Sequence, residues 1–501
     1  MAKVERFDVR SAAWQRPSIL PWLGILFAGS AALGAWLLIG PALGPGPYYK
    51  VGWHRTAYEY SAQILLLFVP WALALLAWRR GARAHLRLLV GGAILLHLLV
   101  LFAPLAQSQD FYQYLFYGKI QAIHGANPFV VNPNRFWADP WFPWIRWNTQ
   151  PSVYGPAWIL LSFTVAKIAG SHLIVAFATL KLAILALDIA IMAMIVALGR
   201  GRADPDGAAG WGLLAFAWNP LVLITIPLAG SADVAVVAAF LGAMLARRRG
   251  RHGWVTLLLT LAALVKVYAV IGLLLHLVLL VRERGGRRTA AHAAAAAGLS
   301  VAAYAPYWAG LSTFRGLIEA SRITNLGLAG TIQRTILAPL FQWAEFPHWE
   351  AAAGVAVRVA GGALLLAAAV WAVRQCRDER RLWWGALAVL TAYVLATPWF
   401  FYWYLLGPLA LVAVLPRNRL TYPILAFSAT SLITISLPWP AALSLAQTAL
   451  RYGPPIAVFA WQRYGREFGR DAVRDEVRPA RVVALPIPTG AVASRAGPAA
   501  K

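Results

Sequence analysis

Long apolar runs, separated by short polar and basic segments, fill most of the chain. Runs of about 20 predominantly apolar residues have the length that crosses a bilayer as a helix, and they recur from Ile19 to Trp461. We therefore predict an all-α polytopic membrane domain at 19–461, with about 14 transmembrane or re-entrant helices. A cytoplasmic segment at 1–18 precedes it. A charged, then Pro/Ala-rich cytoplasmic tail at 462–501 follows, with a composition typical of disorder.

The arginines between the apolar runs predict the orientation of the helices. Cytoplasmic loops of membrane proteins carry an excess of Lys and Arg, so the basic clusters and both termini are placed in the cytoplasm. Two large polar segments, 108–155 and 309–350, then become extracytoplasmic loops. Between them, Trp211–Leu228 is predicted to cross the membrane once toward the outside.

Two apolar segments do not fit a simple alternation of crossings. Ala157–Ala169 is too short to cross comfortably, and treating it as an interfacial or re-entrant helix keeps Arg200 and Arg202 inside. Trp254–Val281 has basic residues at both ends, which a single crossing would place on opposite sides. We therefore predict two short helices hinged near Lys266, a break that needs protein or a water-filled cavity to cover the freed backbone.

Composition agrees with a membrane protein and argues against several other classes. Hydrophobic residues make up 60% of the chain and charged residues 13%, with a mean hydropathy of +0.62, whereas a soluble domain is nearer a quarter charged. The net charge of +26 follows from the cytoplasmic arginine clusters, and no nucleic-acid partner is predicted. The single cysteine, Cys376, excludes an intrachain disulfide. No nucleotide-binding or zinc motif is found; no cofactor is predicted, although dependence on a divalent metal is left open.

The segment 108–155 is the part of the chain that is richest in chemically useful side chains. Asp110 lies just beyond an apolar run and is followed by aromatic residues that include Tyr112 and Tyr114. A helix N-cap or an aromatic belt at the lipid interface accounts for this pattern. A general base facing a cavity, with aromatic faces for sugar rings, also accounts for it, and the length of the polar segment favours this second interpretation.

Other polar residues of this segment lie among turn-forming residues. Gly and Pro neighbours predict a shaped loop around His124, Asn127 and Tyr154, whose side chains could bind sugar hydroxyls. Asp139, the second acid, is equally compatible with a solvated loop charge. These residues are candidates for sugar or acceptor binding.

Charged residues inside apolar runs need partners. An unpaired lysine at a helix centre costs about 2.5–3.5 kcal/mol on insertion scales, so Lys266 requires a carboxylate, carbonyls, a phosphate or water. Binding of an anionic lipid headgroup and snorkelling to the interface are both compatible with its position. Asp233 follows Gly and Ser as a helix cap would. Lys181 and Asp188 lie seven residues apart on one helix face, and we predict that they pair with other helices.

Two arginines lie outside against the general charge trend. Arg315 and Arg322 belong to the second outer loop, on the same predicted side as Asp110. Exposed loop arginines are common, but a guanidinium can also clamp a phosphate with two parallel hydrogen bonds. Both are therefore candidates for binding an anionic donor.

The order of short motifs along the chain resembles one enzyme class. The motifs are Asp110 in a large outer loop, Gly125-Ala126-Asn127-Pro128-Phe129, Tyr154-Gly155-Pro156, Trp218-Asn219-Pro220-Leu221 with Gly230-Ser231-Ala232-Asp233, Val265-Lys266-Val267-Tyr268, and Pro398-Trp399-Phe400-Phe401-Tyr402-Trp403. The chain resembles the GT-C superfamily of polyprenyl-phosphate-sugar-dependent glycosyltransferases. The closest likeness is to bacterial, actinobacterial-type polyprenol-phosphate-mannose-dependent α-1,6-mannosyltransferases. Two departures are the absence of a His or Asn before Asp233 and the position of Asp110 after the third predicted span.

The resemblance implies an enzyme of the bacterial inner membrane. It would move a hexose, expected to be mannose, from a polyprenyl-phosphate donor to a glycan or glycolipid acceptor on the extracytoplasmic face, with inversion. Asp110 matches the catalytic loop acid, Lys266, Arg322 and Arg315 are ordered candidates for the donor phosphate, and the sugar or acceptor candidates are Tyr112, Tyr114, His124, Asn127, Tyr154 and Asp233. Membrane lipids are expected partners. The alternative is a transporter or lipid flippase that uses Lys266, Asp188 and Asp233.

Overall fold

The computed structural model describes residues 21, 23–31, 53–101, 110–324, 327–436, 439 and 443–464. These residues are almost entirely helical, and the only β-type pairing among them is an isolated bridge between Ala309 and Leu311. The prediction of an all-α chain is thus confirmed for this part. The N-terminal segment 1–18 and nearly all of the tail 462–501 lie outside the described residues.

The described helices follow one another along the chain, with a long polar segment between the third and the fourth. In chain order they are α1 (Trp53–Arg79), α2 (Leu86–Leu101), α3 (Asp110–Ala122), α4 (Pro156–Ala169), α5 (Leu173–Gly199), α6 (Pro205–Ala215), α7 (Pro220–Leu223), α8 (Asp233–Arg248), α9 (His252–Val265), α10 (Val270–Arg284), α11 (Gly286–Tyr304), α12 (Arg315–Arg322), α13 (Leu328–Ile332), α14 (Ala338–Trp343), α15 (Trp349–Gln375), α16 (Glu379–Ala396), α17 (Leu406–Val414), α18 (Thr421–Ser436) and α19 (Ser444–Tyr464).

Apolar length identifies the helices that suit a membrane. Among the described residues, α5 and α15 are each long and apolar enough to cross alone. A third candidate is the bent pair Pro205–Ala215 and Pro220–Leu228, whose two parts differ in direction by 59°. Shorter apolar helices include α2, α4, α9 and α18. These helices agree with a membrane protein, while the number of about 14 and the sidedness of the loops stay predictions.

The bent pair corrects the prediction of one uninterrupted crossing at Trp211–Leu228. The helix stops because Pro220 cannot donate a backbone hydrogen bond and disfavours helical backbone at the residue before it. Asn219 is extended and caps the next turn, where its Oδ1 accepts from the Leu221 backbone N–H at 2.9 Å. A π-helical turn with Pro227 inside it then follows over Ile224–Leu228. The sequence contains the signal for this break, and the apolar run concealed it.

The predicted break near Lys266 is confirmed. The helix α9 ends at Val265, Lys266 has extended backbone angles, and α10 begins at Val270 after a short 3-10 turn. The two helices fold back on each other. This is shown by the ring of His252, at the start of α9, which stacks on that of His276 in α10 with centroids 6.1 Å apart. The charge pattern at the two ends therefore predicted a real hairpin.

Both charged residues of α5 pair with other helices, as predicted. The Lys181 ammonium donates to the carbonyl oxygens of Pro227 and Leu228 at 2.6 and 2.5 Å. These carbonyls lie at the end of the π-helical turn. Asp188 accepts from the imidazole of His97 on α2, whose other ring nitrogen meets the Ala217 carbonyl. Both side chains are buried; Lys181 satisfies backbone carbonyls directly, and Asp188 orients the His97 ring that meets one.

The first outer segment, predicted as a loop, opens with a helix. Asp110 lies in the first described turn of α3, and α3 crosses α4 closely, since a Cβ on Gly118 would lie 2.1 Å from the Ser162 carbonyl oxygen. This contact fixes α3 against the bundle. Asp110 therefore lies on a rigid element rather than on a free loop.

Candidate functional site

Asp110 is held by two uncharged donors from the far end of its own segment. The Trp147 indole Nε1–H donates to its Oδ1 at 3.0 Å, and the Tyr154 hydroxyl donates to its Oδ2 at 3.1 Å. Each carboxylate oxygen thus accepts from at least one directional donor. The two bonds fix the plane of the carboxylate and leave it beside open space.

Gln113 holds Trp147 in place. It lies one helical turn after Asp110 on α3, and its Oε1 accepts from the Trp147 backbone N–H at 3.0 Å. Its Nε2–H donates to the Trp147 carbonyl at 3.3 Å. One buried amide therefore clamps both backbone groups of the residue that donates to Asp110.

Lys266 is paired at the hinge between α9 and α10. Its Nζ lies 3.2 Å from Asp233 Oδ2, and the side chains of the pair are 13% and 0% exposed respectively. Ser231 Oγ–H donates to the same oxygen at 2.9 Å, and the Tyr268 hydroxyl donates to Asp233 Oδ1. Both oxygens of Asp233 are thus engaged, whereas the Lys266 side chain stays partly exposed.

A close backbone contact brings the two charged centres together. The Gly155 N–H donates to the Val265 carbonyl at 3.0 Å, immediately before Lys266. A Cβ at position 155 would lie 2.0 Å from the Leu264 carbonyl oxygen, so only glycine fits. The contact places the ring of Tyr154 with its centroid 5.0 Å from Lys266 Nζ, while the Tyr154 hydroxyl reaches Asp110.

Asp110 and Lys266 line the same open cavity. It has an empty volume of about 460 Å³ counted to its mouth. Most of its other lining residues are aromatic or carry amides: Gln113, Tyr117, Trp147, Gln150, Val153, Tyr154, Trp399, Phe401, Trp403 and Tyr404. Ligand sites of proteins combine such apolar walls with a few placed polar groups.

The surroundings of Asp110 favour a role as a proton acceptor. Burial raises the pKa of its carboxyl above the ordinary value, and it outweighs the opposing effects of the Trp147 hydrogen bond, the Lys266 charge, the Tyr154 hydrogen bond and the more distant Arg146. A raised pKa makes a carboxylate a stronger base. The phenol pKa of Tyr154 is also held well above its ordinary value, mainly by burial and then by the Asp110 charge, so Tyr154 acts as a donor.

Asp139, the other acid of the segment, has a different environment. Its oxygens accept from Lys119 and from His124, each at 2.8 Å, and from the Trp141 backbone N–H at 2.8 Å. Burial acts to raise its pKa, but these hydrogen bonds outweigh burial and lower it. The side chain is only 4% exposed, so the interpretation as a solvated loop charge is wrong.

The remaining sugar-binding candidates lie around the cavity rather than on its wall. Tyr114 packs edge-on against Tyr154, with centroids 4.7 Å apart. Tyr112 packs on Trp144 and Phe177. Their hydroxyls are not part of the lining.

Two further candidates from the same segment make contacts within the protein. The Asn127 Oδ1 accepts from the Phe129 N–H, and its Nδ2 donates to the Tyr307 carbonyl at 2.7 Å. His124 pairs with Asp139 and stacks on Phe136. Both connect parts of the outer region. Contacts to substrate by these residues stay predictions.

The two arginine candidates lie on α12. Arg315 Nε donates to Glu319 at 2.7 Å within the same helix, and Arg322 is exposed at the end of that helix. Neither is among the residues that line the cavity. Lys266 is thus the candidate for the donor phosphate that the structure places beside Asp110.

Sequence reasoning missed the partners that define the site. Trp147 is Asp110's donor, Gln113 is the clamp of Trp147, and Trp399 and Tyr404 are walls of the cavity. For Trp399, the aromatic motif from Pro398 to Trp403 was the available signal in the sequence. No local pattern could have joined Trp147 to Asp110, because they are far apart along the chain.

The described residues contain no cluster of side chains suited to bind a metal ion. Among them, no group of three or more His, Cys, Asp or Glu side chains could hold a metal ion. The acids of the cavity region are instead engaged by donors from the protein.

Comparisons with known proteins give independent information on the whole chain. A sequence model of a family described as alpha-(1->6)-mannopyranosyltransferase, N-terminal domain, matches residues 21–282. This range includes Asp110, Asp233 and Lys266. The chain is also 27% identical over 480 residues to alpha-(1->6)-mannopyranosyltransferase A of Mycobacterium tuberculosis (strain ATCC 25618 / H37Rv), an alignment that covers 86% of each chain. The resemblance seen in the motifs is confirmed at the level of the family.

Proposed function

Because this chain belongs to the alpha-(1->6)-mannopyranosyltransferase family and is therefore a glycosyltransferase, we propose its reaction as follows. It transfers mannose from a polyprenyl-phosphate donor to a glycan or glycolipid acceptor on the extracytoplasmic face of the membrane, with inversion at the anomeric carbon. The observation that carries the proposal is that Asp110 and Lys266 line one cavity. A base and a cation are the two groups that this displacement needs.

The acceptor hydroxyl is activated by Asp110. As the hydroxyl oxygen forms its bond to the anomeric carbon, its proton passes to the Asp110 carboxylate. The bond between the anomeric carbon and the phosphate oxygen breaks, and its electron pair leaves with polyprenyl phosphate. The proton on Asp110 is then released to solvent. Such general-base assistance contributes typically about 10²–10⁴-fold.

Lys266 stabilises the departing phosphate. Negative charge grows on the phosphate as the glycosidic bond breaks, and a fixed cation at that point stabilises the transition state more than the ground state. Asp233 holds the ammonium at 3.2 Å, so it positions the cation before the substrate arrives. The part of Lys266 that remains exposed faces the cavity.

The aromatic wall gives transfer an advantage over hydrolysis. Rings that cover the cavity exclude water from the activated sugar, and their faces suit the apolar faces of pyranose rings. The rival transport function has less support. Its third charged residue, Asp188, pairs with His97 inside the bundle and does not line this cavity.

A reconstituted assay tests the proposal. Purified protein in proteoliposomes is incubated with a radiolabelled polyprenyl-phosphate mannose and an α-1,6-linked oligomannoside, and the product is examined by NMR. We expect label in a longer oligomannoside, with an anomeric configuration opposite to that of the donor. Donors carrying glucose or arabinose are run in parallel and should react more slowly. Equal transfer from those donors would contradict the choice of mannose. Passage of labelled solute across the vesicles with no glycosidic product would contradict the reaction.

A further inference from the structure

The cavity has two chemically different sides. In an inverting displacement the incoming oxygen and the departing oxygen lie on opposite faces of the anomeric carbon, as in inverting glycosidases. Resting on the proposed function, the side of Asp110 therefore receives the acceptor and the side of Lys266 receives the donor phosphate. The aromatic residues of the wall can be assigned by the charged group that each one accompanies.

Two rings accompany Lys266. The ring centroids of Tyr154 and Tyr404 lie 5.0 and 5.5 Å from its Nζ. Tyr154 also donates to Asp110, so it lies between the two sides. Tyr404 packs against Tyr393, with centroids 5.5 Å apart. Tyr404 therefore belongs to the donor side.

A pair of indoles accompanies Asp110. The Trp147 indole donates to the carboxylate at 3.0 Å. Its ring meets Trp399 edge-on, with centroids 5.6 Å apart and planes at 72°. Both indoles line the cavity and are half-buried. Because the two rings meet at 72°, they do not cover each other face to face, and the Arg146 guanidinium lies over the Trp147 ring, with its Cζ 5.5 Å from the centroid.

The turn that carries Trp399 is fixed on both sides. The Thr397 hydroxyl donates to the Trp399 carbonyl at 3.1 Å. Phe401 packs against Trp399, with centroids 5.7 Å apart, and stacks on Trp403 at 4.2 Å. An aromatic surface held this firmly loses little conformational freedom when a ligand binds.

We propose that Trp147 and Trp399 form the acceptor subsite, which binds the apolar face of a pyranose ring of the acceptor glycan next to the hydroxyl that reacts. Trp147 has a second role as a hydrogen-bond donor to Asp110. Trp399 makes no hydrogen bond to the base that the structure records, so its substitution separates acceptor binding from chemistry.

Steady-state kinetics of Trp399→Ala test the subsite. With an octyl α-1,6-dimannoside as acceptor and labelled polyprenyl-phosphate mannose as donor, we expect the acceptor KM to rise about tenfold, which corresponds to about 1.4 kcal/mol. The donor KM should stay within about twofold. Trp399→Phe keeps a flat ring and should lie near the wild type.

A matched control is Trp137→Ala. Trp137 belongs to the same outer segment as Trp147 but is 73% exposed and outside the cavity lining, so neither KM should change. Where Trp399→Ala does not fold, Trp399→Leu replaces it, because leucine keeps apolar packing without a flat face.

The outcomes separate the subsite from the reaction. Wild-type protein that makes no glycosidic product removes the proposed function itself. Wild-type transfer combined with a raised donor KM and an unchanged acceptor KM in the Trp399 variant places that ring on the donor side and overturns the subsite. If both the acceptor KM and the donor KM of Trp399→Ala or Trp399→Leu are unchanged, the subsite is overturned as well.

Discussion

The two carboxylates of the first outer segment are both buried, yet their partners differ in kind. Asp139 accepts from the Lys119 ammonium, the His124 imidazole and a backbone amide, and these bonds lower its pKa. Asp110 accepts from an indole and a phenol, and burial raises its pKa. Asp139 is closed off inside the segment, whereas Asp110 lines a cavity that also contains Lys266.

The contrast distinguishes a carboxylate that supports structure from one that is available for chemistry. Direct cationic partners stabilise the ionised form and leave it a weak base. Neutral donors fix the geometry while the nearby lysine pairs with Asp233 instead, so the Asp110 carboxylate keeps its affinity for a proton. Burial alone does not tell the two apart. The identity of the donors does.

Removing the proposed base should give the largest effect. Asp110→Asn keeps size and one acceptor oxygen but cannot take a proton, and we expect kcat/KM for mannosyl transfer to fall about 10²–10⁴-fold. Thermal unfolding should change little, since loss of a hydrogen bond is offset by removal of a buried charge. Radiolabel transfer and differential scanning fluorimetry measure the two. Wild-type-like transfer would remove Asp110 from this role.

Removing the Lys266 cation should give the second largest effect on transfer. For Lys266→Met we expect kcat to fall about 10²–10³-fold, the loss seen when one transition-state donor is removed. The double variant Asp233→Asn with Lys266→Met removes the buried charge that the single change leaves unpaired. It should regain stability without regaining transfer. Recovery of transfer in the double variant would show that Lys266 serves only to neutralise Asp233.

Much of the fold could be predicted from the sequence because lipid-exposed helices carry their signal locally. Apolar runs and flanking arginines predicted the break at Lys266, since charge at both ends of one run cannot be explained by a single crossing. The break at Pro220 was missed because the surrounding residues are uniformly apolar. A proline within such a run is tolerated only where other groups cover the freed backbone, and the cap by Asn219 is visible only in the structure.

Asp139→Asn should affect stability rather than turnover. Removing one partner of a buried pair costs about 3–5 kcal/mol, because Lys119 is left buried without its carboxylate. Since the folded-state pKa of Asp139 is lowered, its stabilising contribution is complete above the ordinary carboxyl pKa and is lost as pH falls through the lowered value. Thermal unfolding at neutral and acidic pH measures this. A folded variant with greatly reduced kcat would contradict the division of roles.

Of the candidate site, the sequence identified the two charged groups but not their environment. Asp110 and Lys266 stand out because charge is rare among apolar residues. Whether a carboxylate is a base or a structural anion depends on side chains that approach from elsewhere in the chain, such as Trp147. Short motifs encode turns well, but the donors that meet across a turn are set by tertiary packing.

The smallest expected change concerns the indole donor. Trp147→Phe keeps a ring and removes one hydrogen bond to the ionised Asp110, so the carboxyl pKa should rise further. Because the unprotonated form is active, the acidic limb of the kcat/KM profile should move to higher pH. The rate loss should be confined to the acidic limb and vanish under alkaline conditions. Trp144→Phe, in the same segment without a bond to Asp110 that the structure records, is the control and should leave the profile in place.

The most direct test of the account is the pH profile of kcat/KM for Asp110→Asn beside that of the wild type and of Asp139→Asn. The wild type and Asp139→Asn should share an acidic limb, which reports the free enzyme's essential base. The residual transfer of Asp110→Asn should be flat across the same range. An acidic limb that persists in Asp110→Asn would show that another group takes the proton and would contradict the central claim.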